Sequence, residues 1–227
     1  MPQALLSSAV KLVLFDLDGT LADTAPDLAA AANRQRTERG LEALPYEALR
    51  PLASHGARGL VGRALGATPA DEAFPALRDE FLRFYEEALC VHTRLFPGMD
   101  EALERLEDAG LRWGIVTNKA TRYTDPLVRL LGLEQRAAVV VSGDTTAHAK
   151  PHPLPIQYAL ACCGVEAAEA IYVGDDVRDI QAGRAADLLT VAVSYGYLGD
   201  AGPIESWGAD EIVASPTDLL RLVIRRR

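Results

Sequence analysis

The sequence predicts an α/β fold: a parallel-sheet core with an all-helical insertion after its first strand. Three observations predict it. A short aliphatic and β-branched run, Val10 to Leu17, leads into Asp-Gly-Thr, as a buried strand ending in a turn does. From Asp23 to about Leu95, Ala and Leu recur at helical spacing and no segment alternates like a strand. After Phe96-Pro97-Gly98 the pattern becomes a regular succession of strand and helix, which implies a parallel sheet covered on both faces. The first strand precedes the helical stretch and its partners follow it. The core therefore comprises 1–22 and 97–227, and the insertion 23–96. The insertion leaves from the carboxyl end of the first strand, where open α/β sheets bind ligands.

Each element carries its own signal. In the insertion, helices are expected over Asp27–Arg39, Tyr46–Leu65 and Pro69–Val91, with Gly40 and Thr68-Pro69 as boundaries. Met99–Ala109 reads as a helix ended by Gly110, then Leu111–Thr117 as a strand. Thr121–Leu131 is a helix closed by Gly132, and Ala138–Ser142 a strand. Pro153–Cys163 is a helix, Ala170–Gly174 a strand and Val177–Ala186 a helix. Thr190–Ser194 and the short Glu211–Val213 are strands, and Pro216–Arg225 is the last helix.

Composition bounds the function. With 227 residues and 49% apolar content, the chain can bury a sizeable core without disulfide or metal staples, and disorder is excluded. Its formal charge of −9 argues against a general nucleic-acid binder, which needs a basic face for phosphates. No apolar run is long enough for a membrane span, and Leu12 to Phe15 is too short for the apolar part of a signal peptide. Cys90, Cys162 and Cys163 are an odd set with a vicinal pair, unlike a secreted disulfide framework. They read as small packing residues, and the expected compartment is the reducing cytoplasm.

The polar residues concentrate at strand ends. Asp16 and Asp18 end the first strand, and Thr117 and Asn118 the second. Lys150 follows the third, and Asp175 and Asp176 end the fourth. All fall on one edge of one sheet. Like charges held close repel unless compensated, and a divalent cation is the natural compensator. Oxygen ligands alone favour Mg²⁺ over zinc, which would want His or Cys. In an extended segment residues i and i+2 share a side, so Asp16 and Asp18 can both reach one substrate atom, one as nucleophile and one as general acid/base. Gly19 lets the chain turn away. Thr117 and Asn118 can donate to anionic oxygens, Lys150 is a point charge for phosphate and for the nucleophile, and Asp179 returns to the same face at the start of a helix.

Phe15-Asp16-Leu17-Asp18-Gly19-Thr20-Leu21 resembles the first motif of the haloacid dehalogenase superfamily. Thr117-Asn118 resembles the second, Lys150-Pro151 the third, and Gly174-Asp175-Asp176-Val177-Arg178-Asp179-Ile180 the fourth, in the right order. The resemblance implies a Rossmann-like core with an inserted helical cap. It implies that Asp16 attacks phosphorus and forms an aspartyl-phosphate, while Asp18 protonates the leaving oxygen and later activates water. Asp16, the main-chain carbonyl of Asp18, and Asp175 would hold Mg²⁺. Asp179 would support that shell or orient Lys150, and Asp176 would either touch the metal or cap a helix. Mg²⁺, Thr117, the backbone of Asp18 and Asn118, and Lys150 would hold the phosphate. The implied substrate is a small phosphorylated metabolite, and the oligomeric state is not readable.

Specificity should lie in the cap. Ser54-His55-Gly56-Ala57-Arg58-Gly59 corresponds to the cap loop that faces the core in such enzymes, so Arg58 is expected to read a substrate carboxylate, with His55 beside it. His92 and Arg122 are expected to be structural or surface residues, while His148 and His152, which flank Lys150, either touch the phosphate or are polar loop residues. The chain looks most like phosphoglycolate phosphatases and the related N-acetylmuramic acid 6-phosphate phosphatases. Gly56-Ala57-Arg58, Cys90-Val91-His92, Trp113-Gly114, Asp175-Asp176 and Trp207-Gly208-Ala209-Asp210 lean to the second group. His55 and Ala120 depart from the usual Gly and Pro. A phosphomutase on the same core and a non-catalytic phosphate- or partner-binding protein are the alternatives.

Overall fold

The structure is a computed structural model and describes residues 9–199 and 201–227. Six strands form the main sheet: β1 Leu12–Phe15, β4 Arg112–Val116, β5 Val140–Val141, β6 Ala170–Gly174, β7 Leu189–Val193 and β8 Glu211–Val213. Their order is β5-β4-β1-β6-β7-β8, and every pairing is parallel. The chain builds outward from β1 through β4 to β5, then returns to the other side of β1 for β6, β7 and β8. Connections therefore diverge at the carboxyl ends of β4, β1 and β6, the crevice where such sheets take ligands.

Strand periodicity sends alternate residues to opposite faces, and all four residues of β1 are fully buried. Val13 and Phe15 pack with Met99 and Leu103 of α4 (Met99–Asp108), Leu127 of α5 (Thr121–Leu130) and Leu219 of α8 (Pro216–Ile224). Leu12 and Leu14 face Ile156 and Leu160 of α6 (Leu154–Cys163) and Ala182 of α7 (Val177–Ala185).

Between the core strands lie α1 (Ala25–Thr37), α2 (Gly56–Leu65) and α3 (Phe74–Glu87). Leu28, Leu49, Leu60, Phe81 and Phe84 are buried among them, in a cluster continuous with the Val13 face of the sheet. Each such side chain contributes about 1.5–3 kcal/mol on full burial, so the helical block holds its own interior. Its neck is a two-stranded antiparallel ribbon, β2 (Ala22–Asp23) with β3 (Arg94–Leu95). Two-residue strands are too short for a periodic signal, which is why the sequence reading placed none there. Buried Asp27 of α1 reinforces the neck by accepting from the main-chain N–H groups of His92 and Thr93 (3.0 and 2.8 Å).

Two expected helices are shorter than their patterns. The stretch 46–65 is two 3₁₀ turns, Tyr46–Ala48 and Arg50–His55, before α2 begins at Gly56, whose φ of +55° interrupts the right-handed run. The pattern from Pro69 becomes helical only at Phe74, where Pro75 sits in the first turn, the position a helix tolerates.

Candidate functional site

Leu17 is fully buried, so its neighbours Asp16 and Asp18 turn together toward the crevice. The chain then reverses at Gly19, with φ +87° and its N–H donating to the Ala22 carbonyl at 2.9 Å. A Cβ there would lie 2.2 Å from Oδ2 of Asp175, so both the conformation and the space demand glycine. Asp175, at the end of β6, is fully buried and accepts from Thr20 Oγ1 at 2.9 Å and from the Tyr197 N–H at 2.8 Å. Burial, reinforced by repulsion from Asp16 and Asp179, holds its carboxyl well above the usual carboxylate range.

Lys150 penetrates this cluster with a side chain only 3% exposed. Its Nζ lies 2.9 Å from Asp16 Oδ1 and 2.7 Å from Asp179 Oδ1. It also donates to the Val116 carbonyl and the Tyr172 hydroxyl, each at 2.8 Å. Burial opposes its charge, but Asp16 and Asp179 outweigh burial and keep it a cation. Burial raises the Asp179 carboxyl to about 7 against the pull of Lys150. Asn118 clasps the Lys150 main chain: its Nδ2 donates to the Lys150 carbonyl at 2.8 Å, and its Oδ1 accepts the Lys150 N–H at 2.9 Å. The Asn118 side-chain amide is thus spent on positioning Lys150, and this leaves the expected main-chain contact of Asn118 with an anion untouched. Thr117 is buried and lines the crevice beside it.

Asp18 is held from two sides. Thr24 Oγ1 donates to its Oδ1 at 2.5 Å, and Lys119 Nζ lies 2.9 and 3.1 Å from its two oxygens. Sequence reasoning missed Lys119, although it directly follows the Thr117-Asn118 pair that marked the strand end. It also missed Tyr197, whose hydroxyl accepts from the N–H groups of Thr24 and Ala25 (2.6 and 2.8 Å) and bonds Asp23 Oδ1 at 2.9 Å. One phenol thus ties the neck of the helical block to the strand-end loop that holds Asp175.

Asp176 caps α7: its Oδ1 accepts the Arg178 N–H at 2.9 Å, while Asp179 returns a carboxylate oxygen to the Asp176 N–H at 3.1 Å. The Arg178 guanidinium bonds both Asp176 oxygens at 2.8 Å and donates to the Ser54 carbonyl of the helical block at 2.7 Å. Burial would raise the Asp176 carboxyl, but Arg178 prevails and holds it below the ordinary value. Of the two expected roles for Asp176, the cap is the one its hydrogen bonds fill.

Above these groups lies a cavity of about 330 Å³. The core lines it with Asp16, Asp18, Thr117, Asn118, Lys119 and Lys150, and the helical block adds His55, Phe81 and Tyr85. Arg58 is not among its walls. With α2 starting at Gly56, residues 53–57 face the cavity and Arg58 is exposed outside it. His148 and His152 are exposed, stack at 4.4 Å and do not line the cavity, and the His92 main chain is bound by Asp27. Arg122 is an exposed partner of Glu86. Cys163 is buried and Cys162 exposed, so only one of the vicinal pair packs inside.

Asp16, Asp175 and Asp179 each offer an oxygen within 4.8 Å of the others. An all-carboxylate donor set fits a hard divalent cation and would not suit zinc. Both oxygens of Asp179 already accept, from Lys150 and the Asp176 N–H, as both oxygens of Asp175 do from Thr20 and Tyr197.

A strand-end nucleophile candidate beside a second carboxylate, a buried lysine and a cation-compatible acid cluster defines a phosphatase-type hydrolase. The family model for haloacid dehalogenase-like hydrolases matches residues 13–193, and the chain belongs to that family. It is 47% identical over 210 residues to a phosphoglycolate phosphatase of Xanthomonas campestris pv. campestris, covering 92% of this chain and 94% of that one. It is 41% identical over 214 residues to an N-acetylmuramic acid 6-phosphate phosphatase of Pseudomonas putida, covering 94% and 96%. A crystal structure described as a predicted phosphoglycolate phosphatase from Haemophilus somnus superposes with a TM-score of 0.83 at 30% identity, over 95% of this chain and 99% of that one. Among the described residues no helix is long and apolar enough to cross a membrane.

Proposed function

We propose that this chain is a Mg²⁺-dependent phosphomonoester hydrolase, acting in the cytoplasm on a small carboxylated phosphate ester through an aspartyl-phosphate. The observation that carries the reading is the convergence of Asp16, Asp18 and Lys150 under one cavity, with Asp175 and Asp179 behind. Asp16 has one oxygen on Lys150. Its other oxygen attacks phosphorus while the ester P–O bond breaks in line, and Asp18 gives its proton to the leaving oxygen. Asp18 then takes a proton from water, which attacks phosphorus, frees Asp16 and releases phosphate. Lys150, aligned by Asn118 and Asp179, and Thr117 stand where the phosphoryl oxygens would lie and neutralise them. Asp16, the Asp18 carbonyl and Asp175 would hold Mg²⁺, which supplies charge neutralisation for the attacking and transferring oxygens.

In this reading residues 23–96 act as the cap and 1–22 with 97–227 as the catalytic core. Cavity size favours an ester of the N-acetylmuramic acid 6-phosphate class over 2-phosphoglycolate. A volume of about 330 Å³, walled by Leu28, Phe81, Leu82 and Tyr123, would be left mostly unfilled by a two-carbon ester. The test is phosphate release from both esters and from common sugar phosphates, with Mg²⁺ and with chelator. Release that needs Mg²⁺ and is fastest with the larger ester is expected. Turnover in chelator would overturn the metal assignment, and formation of an isomer without free phosphate would make the enzyme a mutase.

A further inference from the structure

Lys119 stands between the two halves of the molecule. Its Nζ spans both oxygens of Asp18, and the two side chains are only 9% and 15% exposed. The main chain beneath it is pinned, for the Lys119 carbonyl accepts from the Gly143 N–H at 2.8 Å and Thr124 Oγ1 at 3.0 Å. On the far side of the ammonium lies the ring of Tyr85, its centroid 4.8 Å from Nζ. Tyr85 belongs to α3 of the helical block, is 1% exposed, and is braced by the Tyr123 ring at 5.9 Å. The Tyr85 hydroxyl lies near Lys119 without closing a hydrogen bond, and the ring stacked against the ammonium is the contact the geometry gives.

Resting on the phosphatase reading above, we propose that Lys119 is a positioning residue for Asp18 and that the helical block assembles it through Tyr85. Lys119 and Thr24 both hold Oδ1 of Asp18, at 2.9 and 2.5 Å, whereas Oδ2 has only the longer 3.1 Å contact. Oδ2 is therefore the oxygen that gives its proton to the leaving group as the P–O bond breaks, and the one that takes a proton from water in the second half-reaction. Lys119 transfers no proton. It fixes the carboxylate, and it does so while Tyr85 is seated over it.

A residue that acts through the acid has a signature that a structural residue lacks. Protonation matters most for esters with poor leaving groups and least for those with good ones. The experiment measures kcat/KM across alkyl and aryl phosphates of graded leaving-group basicity. Lys119→Met should cost up to about 10²-fold on the poorest leaving groups, the scale of a misplaced catalytic group, and much less on nitrophenyl phosphate. Tyr85→Leu should show the same bias at about 2- to 30-fold, the worth of a cation–π contact, and Tyr85→Phe, which keeps the ring, should recover most of it. The Tyr85 pair carries the test if the Lys119 variant does not fold. A loss equal across the series, or Phe no better than Leu, overturns the proposal while the phosphatase reading stands. A wild-type enzyme that releases phosphate neither from these esters nor from the carboxylated and sugar phosphates named above removes both.

Discussion

Replacing Lys150 by Met should expose how much of the core is organised around one buried cation. The ammonium sits 2.9 Å from Asp16 and 2.7 Å from Asp179, with a side-chain exposure of 3%. Methionine fills similar volume but leaves those carboxylates, and Asp175 beside them, without the lysine. Removing one partner of a buried ion pair costs about 3–5 kcal/mol, because the remaining charge is stranded. In a chain of this size each kcal/mol moves Tm by about 2–4 °C, so a fall of about 6–20 °C is expected in chelator. Thermal unfolding followed by circular dichroism measures it. The stranded-charge argument makes a sharper demand of the double variant. Adding Asp179→Asn removes one of the unpaired charges, so the pair should couple by about 0.5–3 kcal/mol and the double variant should be more stable than the two single losses predict. A fall of under about 2 °C for Lys150→Met, or strict additivity in the double variant, would refute the reasoning.

Asp16→Asn keeps an oxygen beside Lys150, whose ion pair with Asp179 remains, so Tm should fall less than for Lys150→Met while phosphate release drops by about 10⁴-fold or more, as loss of a covalent nucleophile does; turnover within tenfold of wild type would remove Asp16 from that role. Gly19→Ala places a methyl where Asp175 Oδ2 lies 2.2 Å away, on a residue with φ +87°. It should cost about 1–2 kcal/mol in backbone strain alone and displace Asp175, so Mg²⁺-dependent activity should fall by about 10²-fold. Asp176 is held below its ordinary value by Arg178 despite burial, so its pairing stabilises the fold above the unfolded-state pKa and that contribution is lost as pH falls through the folded value. The Tm gap between wild type and Asp176→Asn, measured in chelator, should be widest near neutral pH and close below about pH 4; a gap constant with pH would count against the pairing.

The sheet and the acid cluster were legible because their signals are local. Fully buried parallel strands read as continuous aliphatic runs, and a charged residue at the end of such a run has few places to go except the strand-end crevice. Asp16, Asp18, Lys150 and Asp175 meet for that reason. The cap side of the site was not legible in the same way. Whether Arg58 or His55 faces the cavity depends on where α2 begins, and Gly56 shifts that start by a full helical stretch from the expected one. Lys119 and Tyr197 act through partners 101 and 174 positions away, Asp18 and Asp23, and no local pattern announces such pairs. The partner of Asn118 is not legible in the sequence, since the clasp on Lys150 forms between two loops that only the sheet order makes neighbours.

The formal charge of −9 raises the question of which field a dianionic ester feels. At the site four carboxylates, those of Asp16, Asp18, Asp175 and Asp179, face the ammonium groups of Lys119 and Lys150. With Asp18 carrying the proton it gives to the leaving oxygen, three ionised carboxylates face two ammonium groups and one negative charge remains. One divalent cation would leave the loaded site with a net positive charge, beside which a phosphoryl dianion would bind. The rest of the net charge is spread over a surface that salt screens within about 8 Å at physiological ionic strength, against about 30 Å at 0.01 M. If the local field governs encounter, kcat/KM for a dianionic ester at saturating Mg²⁺ should stay flat or fall as ionic strength rises across that range. If the global charge governs, screening relieves repulsion and kcat/KM should rise. A rise that persists with a monoanionic ester of the same size would point to a salt effect on the protein instead. A rise confined to the dianion would show that the acidic surface, and not the strand-end cluster, sets the approach of substrate.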